Sequence, residues 1–412
     1  AGKPSWLKAV ILSRGKVNLV YVCRELVRGN ALSIGEKHLA LSREEVGEYL
    51  YYSGNASLNK YLDLIYSYSE GWIMAVKLLV KGLKEGAITL PLRGLDSSIA
   101  GLSELFEFLS LDVLERQEPE IKSFLLRSSV LEFLSVPACR ALMGPSFSAE
   151  LLQKVYDKGL FLVELEGGLY RYHNLFRDFL RREGQKRIPD WESLHCRAGT
   201  YCFQEGRLEE SLCHFLQARQ WNDAARVLSQ MSYELVYSGR GQQFRLYLER
   251  LPVELRAKPE FLLALGDAER LASNYQAACS YYNQARKEYL ARGDRVGLSR
   301  SLKGIGEVYI DTIQPALAEN FLRQAYKALE EEHAEEKAEI LNLLAENALN
   351  QGKPRRAARY RQLAGELLHL ASRGNFEARM LLRTGRLHAA IKLLEEKREC
   401  EGEGYRPPLS FR

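Results

Sequence analysis

The chain has 412 residues, and at about 150 residues per domain this length predicts two or three domains. Hydrophobic residues make up 46% and charged residues 27%, which excludes collagen-like, low-complexity and mostly disordered chains. The net charge of +5 is too small to indicate nucleic acid, and no apolar run approaches the roughly 18 residues of a membrane span. The seven cysteines are sparse and irregularly spaced, so we expect a reducing, cytoplasmic compartment.

The first part of the chain combines a strand-like run with helices. Residues 6–12 are mostly apolar and end at Ser13-Arg14, which is typical of a buried strand. Ser42 with Glu45 three residues later predicts the capping box of a helix. Residues 85–98 contain two Gly and a Pro without periodicity, so a linker and a domain boundary near residue 95 are expected. Two more helices are expected before that linker, at 55–67 and 70–84.

The next segment begins with three predicted helices. Apolar residues between 102 and 114 follow the helical period. Pro119 suits the first turn of a second helix, because proline lacks only an N–H that would have no partner there. Residues 149–158 supply the third.

A β-hairpin is predicted after these helices. Two strand-like runs, 160–166 and 169–173, are joined by Gly167-Gly168, which predicts a two-residue type I′ turn because both positions then need positive φ. Asn174 is expected to cap the helix that follows. Helices, a hairpin and another helix together predict a winged-helix domain over residues 100–187.

Small residues recur with a fixed spacing beyond residue 190. They are separated by 12 and then 7 positions, in four sets: Gly199, Ser211, Ala218; Gly266, Ala278, Ala285; Gly306, Ala318, Ala325; Ala345, Ala357, Ala364. A further pair, Ala378 and Ala390, continues the spacing, and an irregular unit fits between the first two sets. Because two helices of a repeat touch at small side chains, the pattern predicts tetratricopeptide-like repeats over residues 190–400.

Several segments resemble the MalT-type regulators, which are large ATP-binding members of the LuxR family of transcription activators and belong to the STAND class of signal-transduction ATPases. The segments that carry the resemblance are Leu12-Ser13-Arg14, Ser42-Arg43-Glu44-Glu45, Glu70-Gly71-Trp72, residues 124–129 and, most specifically, residues 170–180 (YRYHNLFRDFL). The resemblance implies a mainly α chain with three parts. These are the C-terminal part of an α/β nucleotide-binding domain at 1–95, the winged helix at 100–187 and the repeat superhelix at 190–400.

The resemblance also implies a nucleotide site and a set of partners. Arg14 would be the family's phosphate-sensing arginine, and His173 would contact the nucleotide phosphate, with capping or packing as its alternative role. Gly71-Trp72 matches the family's Gly-Trp-Pro, but Ile73 replaces the proline that lies by the adenine. In the full-length protein the cofactor would be ATP or ADP. An inducer or a protein would bind the superhelix, and activation would bring self-association.

The sequence lacks the motifs of a complete regulator. No Gly-x-x-x-x-Gly-Lys-Ser/Thr occurs, so we expect this polypeptide not to hydrolyse ATP. No helix-turn-helix pattern follows the repeats, so DNA would be bound only through a C-terminal domain that is missing here. We therefore expect the inner portion of a longer, ATP-controlled activator that senses an inducer. The alternative is an autonomous repeat scaffold for a protein partner, which has lost ATPase and DNA binding.

Two groups of side chains raise the question of metal binding and of DNA binding. His195, Cys196, Cys202, Cys213 and His214 are close in sequence, but their spacing is not that of a zinc site, and no metal is expected. The last winged-helix helix carries a basic stretch that suggests DNA, although Asp178 and Glu183 interrupt it. We interpret this stretch as a solvated face or a contact between domains. Its members are Arg177, Arg181, Arg182, Lys186 and Arg187.

Overall fold

The computed structural model describes residues 20–84, 109–145 and 147–368, together with residues 10, 106, 107 and 391. The predicted strand at 6–12 with Arg14, the linker at 85–98 and the repeat positions Ala378 and Ala390 lie outside the described residues. Contacts divide the chain into two compact units, Ala1–Arg219 and Gln220–Arg412. Among the described residues the fold is mainly α, as predicted, with a single short hairpin.

The described residues of unit 1 begin with five α-helices. They are α1 (Val20–Val27), α2 (Glu36–Leu39), α3 (Arg43–Tyr52), α4 (Leu62–Ser69) and α5 (Ile73–Lys84), with a 3₁₀-helix at Ala56–Tyr61 between α3 and α4. The capping box is confirmed, because the Ser42 hydroxyl accepts from the Glu45 N–H and the Glu45 carboxylate accepts from the Ser42 N–H. The helix predicted from residue 70 begins instead at Ile73, since Glu70 and Gly71 have positive φ and end α4.

The winged-helix region follows as helices and a hairpin. Its elements are a π-helix at Leu109–Leu114, α6 (Pro119–Ser128), α7 (Val136–Met143), α8 (Ala149–Asp157), β1 (Leu162–Glu164), β2 (Tyr170–Tyr172) and α9 (Asn174–Arg187). Pro119 lies in the first turn of α6, as predicted. One hydrophobic core connects α3 with α9, and its largest fully buried side chains include Tyr172, Phe176 and Phe179.

Two predicted details are wrong, one in the hairpin turn and one at the start of the helix that follows it. The antiparallel strands pair with Glu164 opposite Tyr170, and the Leu165 N–H donates to the Leu169 carbonyl at 2.8 Å. The connection is therefore the three residues 166–168 and not a two-residue turn, although both glycines have positive φ as expected. Asn174 does not cap α9. It is the first residue of that helix, and its side chain donates to the Ser67 carbonyl at 3.0 Å.

Unit 1 ends with the first helix pair of the repeat pattern, α10 (Trp191–Gln204) and α11 (Leu208–Gln217). Gly199 and Ser211 meet where the two helices cross, and the Ser211 hydroxyl donates to the Gly199 carbonyl at 2.8 Å. A Cβ on Gly199 would lie 3.1 Å from the Phe215 ring. The small residue at this position lets an aromatic side chain fill the space between the helices.

Unit 2 is entirely helical over its described residues 220–368. Its helices are α12 (Trp221–Tyr237), α13 (Gly241–Glu249), α14 (Val253–Arg256), α15 (Pro259–Leu271), α16 (Tyr275–Arg292), α17 (Arg295–Asp311), α18 (Pro315–Ala328), α19 (Ala334–Asn350) and α20 (Pro354–Leu368). The irregular unit predicted between the first two sets of small residues corresponds to α12–α14. The pairs α15/α16, α17/α18 and α19/α20 follow as regular repeats.

The predicted small residues lie at the helix crossings of these three pairs. All of them are buried, and added Cβ atoms on Gly266 and Gly306 would come within 2.5 Å of Tyr282 and 2.8 Å of Leu322. In both pairs the large side chain comes four residues after the small residue of the second helix. The spacing of 12 and 7 positions in the sequence therefore corresponds to residues at which neighbouring helices are in contact. None of the described helices is both long and apolar enough to cross a membrane.

Candidate functional site

The turn between α4 and α5 is fixed by its backbone. Glu70 has a φ of 48°, which is uncommon for a residue with a side chain, and Gly71 follows with a φ of 77°. The Leu41 N–H donates to the Gly71 carbonyl at 2.9 Å. A Cβ on Gly71 would lie 2.1 Å from the Leu41 carbonyl oxygen, so only glycine fits. This turn directs the Glu70 side chain towards the winged-helix region.

The Glu70 carboxylate joins this turn to the start of α9. Arg171 donates to both carboxylate oxygens, at 2.8 and 2.6 Å, and the Asn174 N–H donates to one of them at 3.1 Å. Burial raises the pKa of Glu70, but these hydrogen bonds outweigh it and leave the pKa below its ordinary value. A carboxylate is stabilised there because the N–H groups of a helix N-terminus point outwards. We call this arrangement the Glu70 latch.

His173 lies beside the latch and is only 3% exposed. Its Nε2 lies 2.9 Å from the Ser69 carbonyl, which can only accept, so this nitrogen donates. Its Nδ1 is buried without a hydrogen-bond partner. The ring packs edge-on against Trp72, with 5.9 Å between the ring centres. Three of the predicted nucleotide-binding residues, Gly71, Trp72 and His173, therefore come together, whereas Arg14 lies outside the described residues.

Three hydrogen-bond donors at this junction already have acceptors within the protein. A phosphate would need the Asn174 N–H, the His173 Nε2–H or the Arg171 guanidinium, and these donate to Glu70 or to Ser69. The same place also presents the negative charge of Glu70. In this arrangement a phosphate could use these three donors only after displacing the Glu70 carboxylate or the Ser69 carbonyl. The nucleotide-binding role of these residues stays a prediction.

A second candidate site is a cavity of about 480 Å³ in unit 2. Its walls come from α12 and from α15, α17 and α19, which are the first helices of the three regular pairs. Charged side chains on these helices line it: Asp267, Arg300, Lys303, Glu307, Glu335, Glu336 and Glu339. Tyr233 and Tyr237 add a stacked aromatic pair, with 4.4 Å between the ring centres. A cavity of this size can hold a small organic molecule.

Two acids of the cavity lining, Asp267 and Glu307, belong to a network of polar groups that extends behind the wall. The Tyr282 hydroxyl donates to Asp267 at 2.6 Å, and Arg270 lies 3.6 Å from a Glu307 oxygen and 3.1 Å from Asp311. Burial raises the pKa of Glu307 to about 7 and also raises that of Asp267. Perturbed carboxyl groups inside a cavity are typical of functional sites.

The sequence did not single out Glu70, Asp267 or Glu307 as functional residues. Glu70 was noticed only as part of the segment Glu70-Gly71-Trp72, because its partner Arg171 lies 101 residues away and pairing across such a distance needs the fold. Asp267 and Glu307 carry a signal that could have been used. Each directly follows a glycine of the repeat pattern, so an acid recurs at the same place in two successive helix pairs.

The other two groups examined in the sequence have structural partners. His195 and His214 meet through their Nδ1 atoms at 3.0 Å, and no group of three or more possible ligands for a metal ion occurs among the described residues. Most of the basic side chains on α9 form hydrogen bonds or ion pairs within unit 1. Arg181 donates to the Ser129 and Val130 carbonyls, and Arg187 pairs with Glu115.

Comparison with known proteins shows which proteins this chain is similar to. The family described as "MalT winged helix domain" matches residues 110–192. The serine/threonine-protein kinase PknK of Mycobacterium tuberculosis is 28% identical over 262 residues, covering 60% of this chain and 23% of PknK. The HTH-type transcriptional regulator MalT of Vibrio cholerae is 26% identical over 313 residues, covering 74% of this chain and 34% of MalT.

Among solved structures, a STAND protein with a tetratricopeptide repeat sensor from Pyrococcus horikoshii aligns with a TM-score of 0.44 and 15% identity, covering 87% of this chain and 58% of that one. The chain spans about a quarter to a third of the length of PknK and of the Vibrio cholerae MalT. The family match covers the hairpin and α9, where the Glu70 latch is made. The chain is thus MalT-like, and the match to the winged-helix domain of these regulators lies at residues 110–192.

Proposed function

We propose that this chain is the regulatory core of an ATP-controlled, MalT-like transcription activator, and that its repeat helices sense an inducer. The observation that carries this proposal is the cavity of about 480 Å³ lined by the first helices of successive repeats. Stacked helix pairs present such surfaces to ligands. The MalT-type winged helix in the same chain gives the cavity a regulatory context.

The Glu70 latch supplies a resting contact for this core. It holds α9 and the hairpin against the α4–α5 turn through a bidentate ion pair, whose side chains are 28% and 20% exposed. Bidentate arginine–carboxylate pairs are strong and directional, and this one is largely shielded from water. Opening it would free the Asn174 N–H, the Arg171 guanidinium and the region around His173. We propose that the winged-helix junction has two states, latched and open, of which the structure describes the latched one.

An inducer acts on such a pair of states only through its different affinity for each. We propose that the inducer binds unit 2 more tightly when the latch is open. ATP or ADP binding, self-association and DNA binding are proposed for the full-length protein, because the relatives PknK and MalT are about two to three times as long as this chain. We propose no catalysis by this chain. Its function would be to couple ligand binding to a change of conformation.

Hydrogen–deuterium exchange on the full chain tests this coupling. Compounds from a metabolite library that raise the melting temperature would be added, and exchange would be followed at the amides of residues 174–179. We expect an inducer to protect α15, α17 and α19 while increasing exchange at the start of α9. A ligand that protects the cavity helices and leaves residues 174–179 unchanged would show that sensing is not coupled to the latch.

A further inference from the structure

Acidic residues outnumber basic residues in the lining of the unit 2 cavity. Five lining residues are acidic and two are basic. Both basic side chains already have carboxylate partners, because Lys303 pairs with Glu339 at 2.8 Å and Arg300 with Glu336 at 3.3 Å. Three acids of the lining, Asp267, Glu307 and Glu335, have no basic partner on the lining itself. The cavity wall therefore has an excess of negative charge.

Glu307 has unused hydrogen-bonding capacity. Its side chain is 18% exposed, and the nearest cation, Arg270, is 3.6 Å away and also pairs with Asp311. Among the residues that the structure describes, no donor lies within hydrogen-bonding distance of the Glu307 carboxylate. A half-buried carboxylate without donors is unfavourable, and a ligand that brings a donor and a positive charge would relieve this.

The aromatic pair completes the recognition surface. Tyr233 is 72% exposed and stacks on Tyr237, so a ring face is open to a molecule that enters the cavity. The faces of aromatic rings attract cations. An anion would meet the excess of carboxylates, and a neutral molecule would leave Glu307 with only Arg270, at 3.6 Å and shared with Asp311, as its counter-charge. A cation is the charge type that both the tyrosines and the acids favour.

We infer that the unit 2 cavity binds a small organic cation, an amine whose ammonium group contacts Glu307 and whose apolar part lies against Tyr233 and Tyr237. This inference rests on the proposed function, because it names the chemical class of the inducer. The volume of about 480 Å³ suits a molecule of metabolite size. Glu335, which is exposed and has no partner among the described residues, would receive a second ammonium group at the entrance.

A series of probes with equal length and different charge tests the inference by isothermal titration calorimetry on the full chain. The probes are 1,8-diaminooctane, 1,8-octanediol and octanedioate, with spermidine and tyramine as further amines. We expect at least one amine to bind, and the diol and the diacid to bind about tenfold more weakly or worse. Binding of the diol as tight as that of the diamine, or no binding of any amine at millimolar concentration, would overturn the inference.

Variants then locate the ammonium group. Glu307→Gln keeps the shape of the side chain and removes its charge, and we expect the affinity for the bound amine to fall about tenfold. Glu331→Gln is the matched control, because Glu331 is exposed in the loop before α19 and does not line the cavity. Circular dichroism and melting curves establish that each variant is folded. An equal affinity for Glu307→Gln and the wild type would contradict the assignment.

Proton release provides a second readout. Burial raises the pKa of Glu307 to about 7, while Arg270 and Lys303 lower it and Asp267 and Glu339 raise it. An ammonium ion bound at Glu307 favours the ionised carboxylate, so binding near pH 7 should release protons. Titrations in two buffers with different ionisation enthalpies should detect this release in the wild type and not in Glu307→Gln.

The outcomes separate this inference from the proposed function. If an amine binds at Glu307 and exchange at residues 174–179 does not change, the site is correct and the sensing function is wrong. If a neutral or anionic metabolite binds the cavity and changes that exchange, the sensing function stands and the cationic class is wrong.

Discussion

The buried pair His195 and His214 shows how single residues determine the response of unit 1 to pH. Their Nδ1 atoms lie 3.0 Å apart, so one ring must donate and the other must accept, and the acceptor cannot be protonated. Burial lowers the pKa of His195 to about 4 and that of His214 to about 3. The pair is therefore neutral at physiological pH and has a packing role.

The stability of unit 1 should fall in acid because of this pair. Below about pH 6.5 the unfolded chain binds protons at both histidines while the folded chain does not, so the free energy of unfolding decreases as the pH falls towards 4. Urea unfolding at pH 7 and pH 5 should show this loss in the wild type and a smaller one in the double variant His195→Phe, His214→Leu. His38→Asn, at an exposed histidine, is the control. An unchanged pH dependence in the double variant would show that the pair is not responsible.

At the scale of elements, the glycines of the helix pairs do not act as helix breakers. Tyr282 lies between Gly266 and Gly304, and an added Cβ on either glycine would come within 2.5 Å of its ring. The tyrosine hydroxyl is held in place by Asp267 at 2.6 Å. Three helices are thus packed around one side chain, and the two missing Cβ atoms make room for it.

Alanine should have opposite effects at two helical glycines. Gly266→Ala should lower the free energy of unfolding by about 1–3 kcal/mol, because overpacking outweighs the gain in helix propensity. Gly47→Ala in α3 should raise it by about 0.5–1 kcal/mol, since its Cβ would make an ordinary contact at 3.5 Å with Leu62. Chemical denaturation of both variants measures the difference. Two changes of the same sign would mean that these glycines are not distinguished by packing.

Elements could be predicted from the sequence where the residues that determine them lie close together in the chain. The capping box at Ser42, the proline at the start of α6 and the spacing of small residues all depend on neighbours within about twenty positions, and all three are confirmed. The hairpin turn was wrong because strand register, which sets the loop length, depends on pairing across the sheet. The latch could not be predicted, since Glu70 and Arg171 become neighbours only after α4, the hairpin and α9 pack on one core.

At the scale of the whole molecule, the two candidate sites use carboxylates in different ways. At the latch, Glu70 is fully occupied by Arg171 and Asn174, which stabilises one arrangement of unit 1. In the cavity, Glu307 forms only a long ion pair with Arg270, at 3.6 Å, and accepts no hydrogen bond from the described residues, which leaves it available to a ligand. A regulator needs both properties, a contact that can be broken and a site whose occupation can favour breaking it. A variant that opens the latch without ligand therefore tests whether the two belong to one mechanism.

Glu70→Gln is that variant. The amide keeps the size of the side chain but loses the charge that pairs with Arg171 and stabilises the N-terminus of α9. We expect exchange at the amides of residues 174–176 to rise about tenfold, because a charge-assisted, partly buried contact is lost. Glu48→Gln, at an exposed acid on α3, should leave exchange unchanged. If Glu70→Gln also increases the affinity of unit 2 for its ligand, the coupling is reciprocal, as linkage requires. An unchanged affinity in a variant whose α9 exchange has risen would instead show that the latch and the cavity act independently.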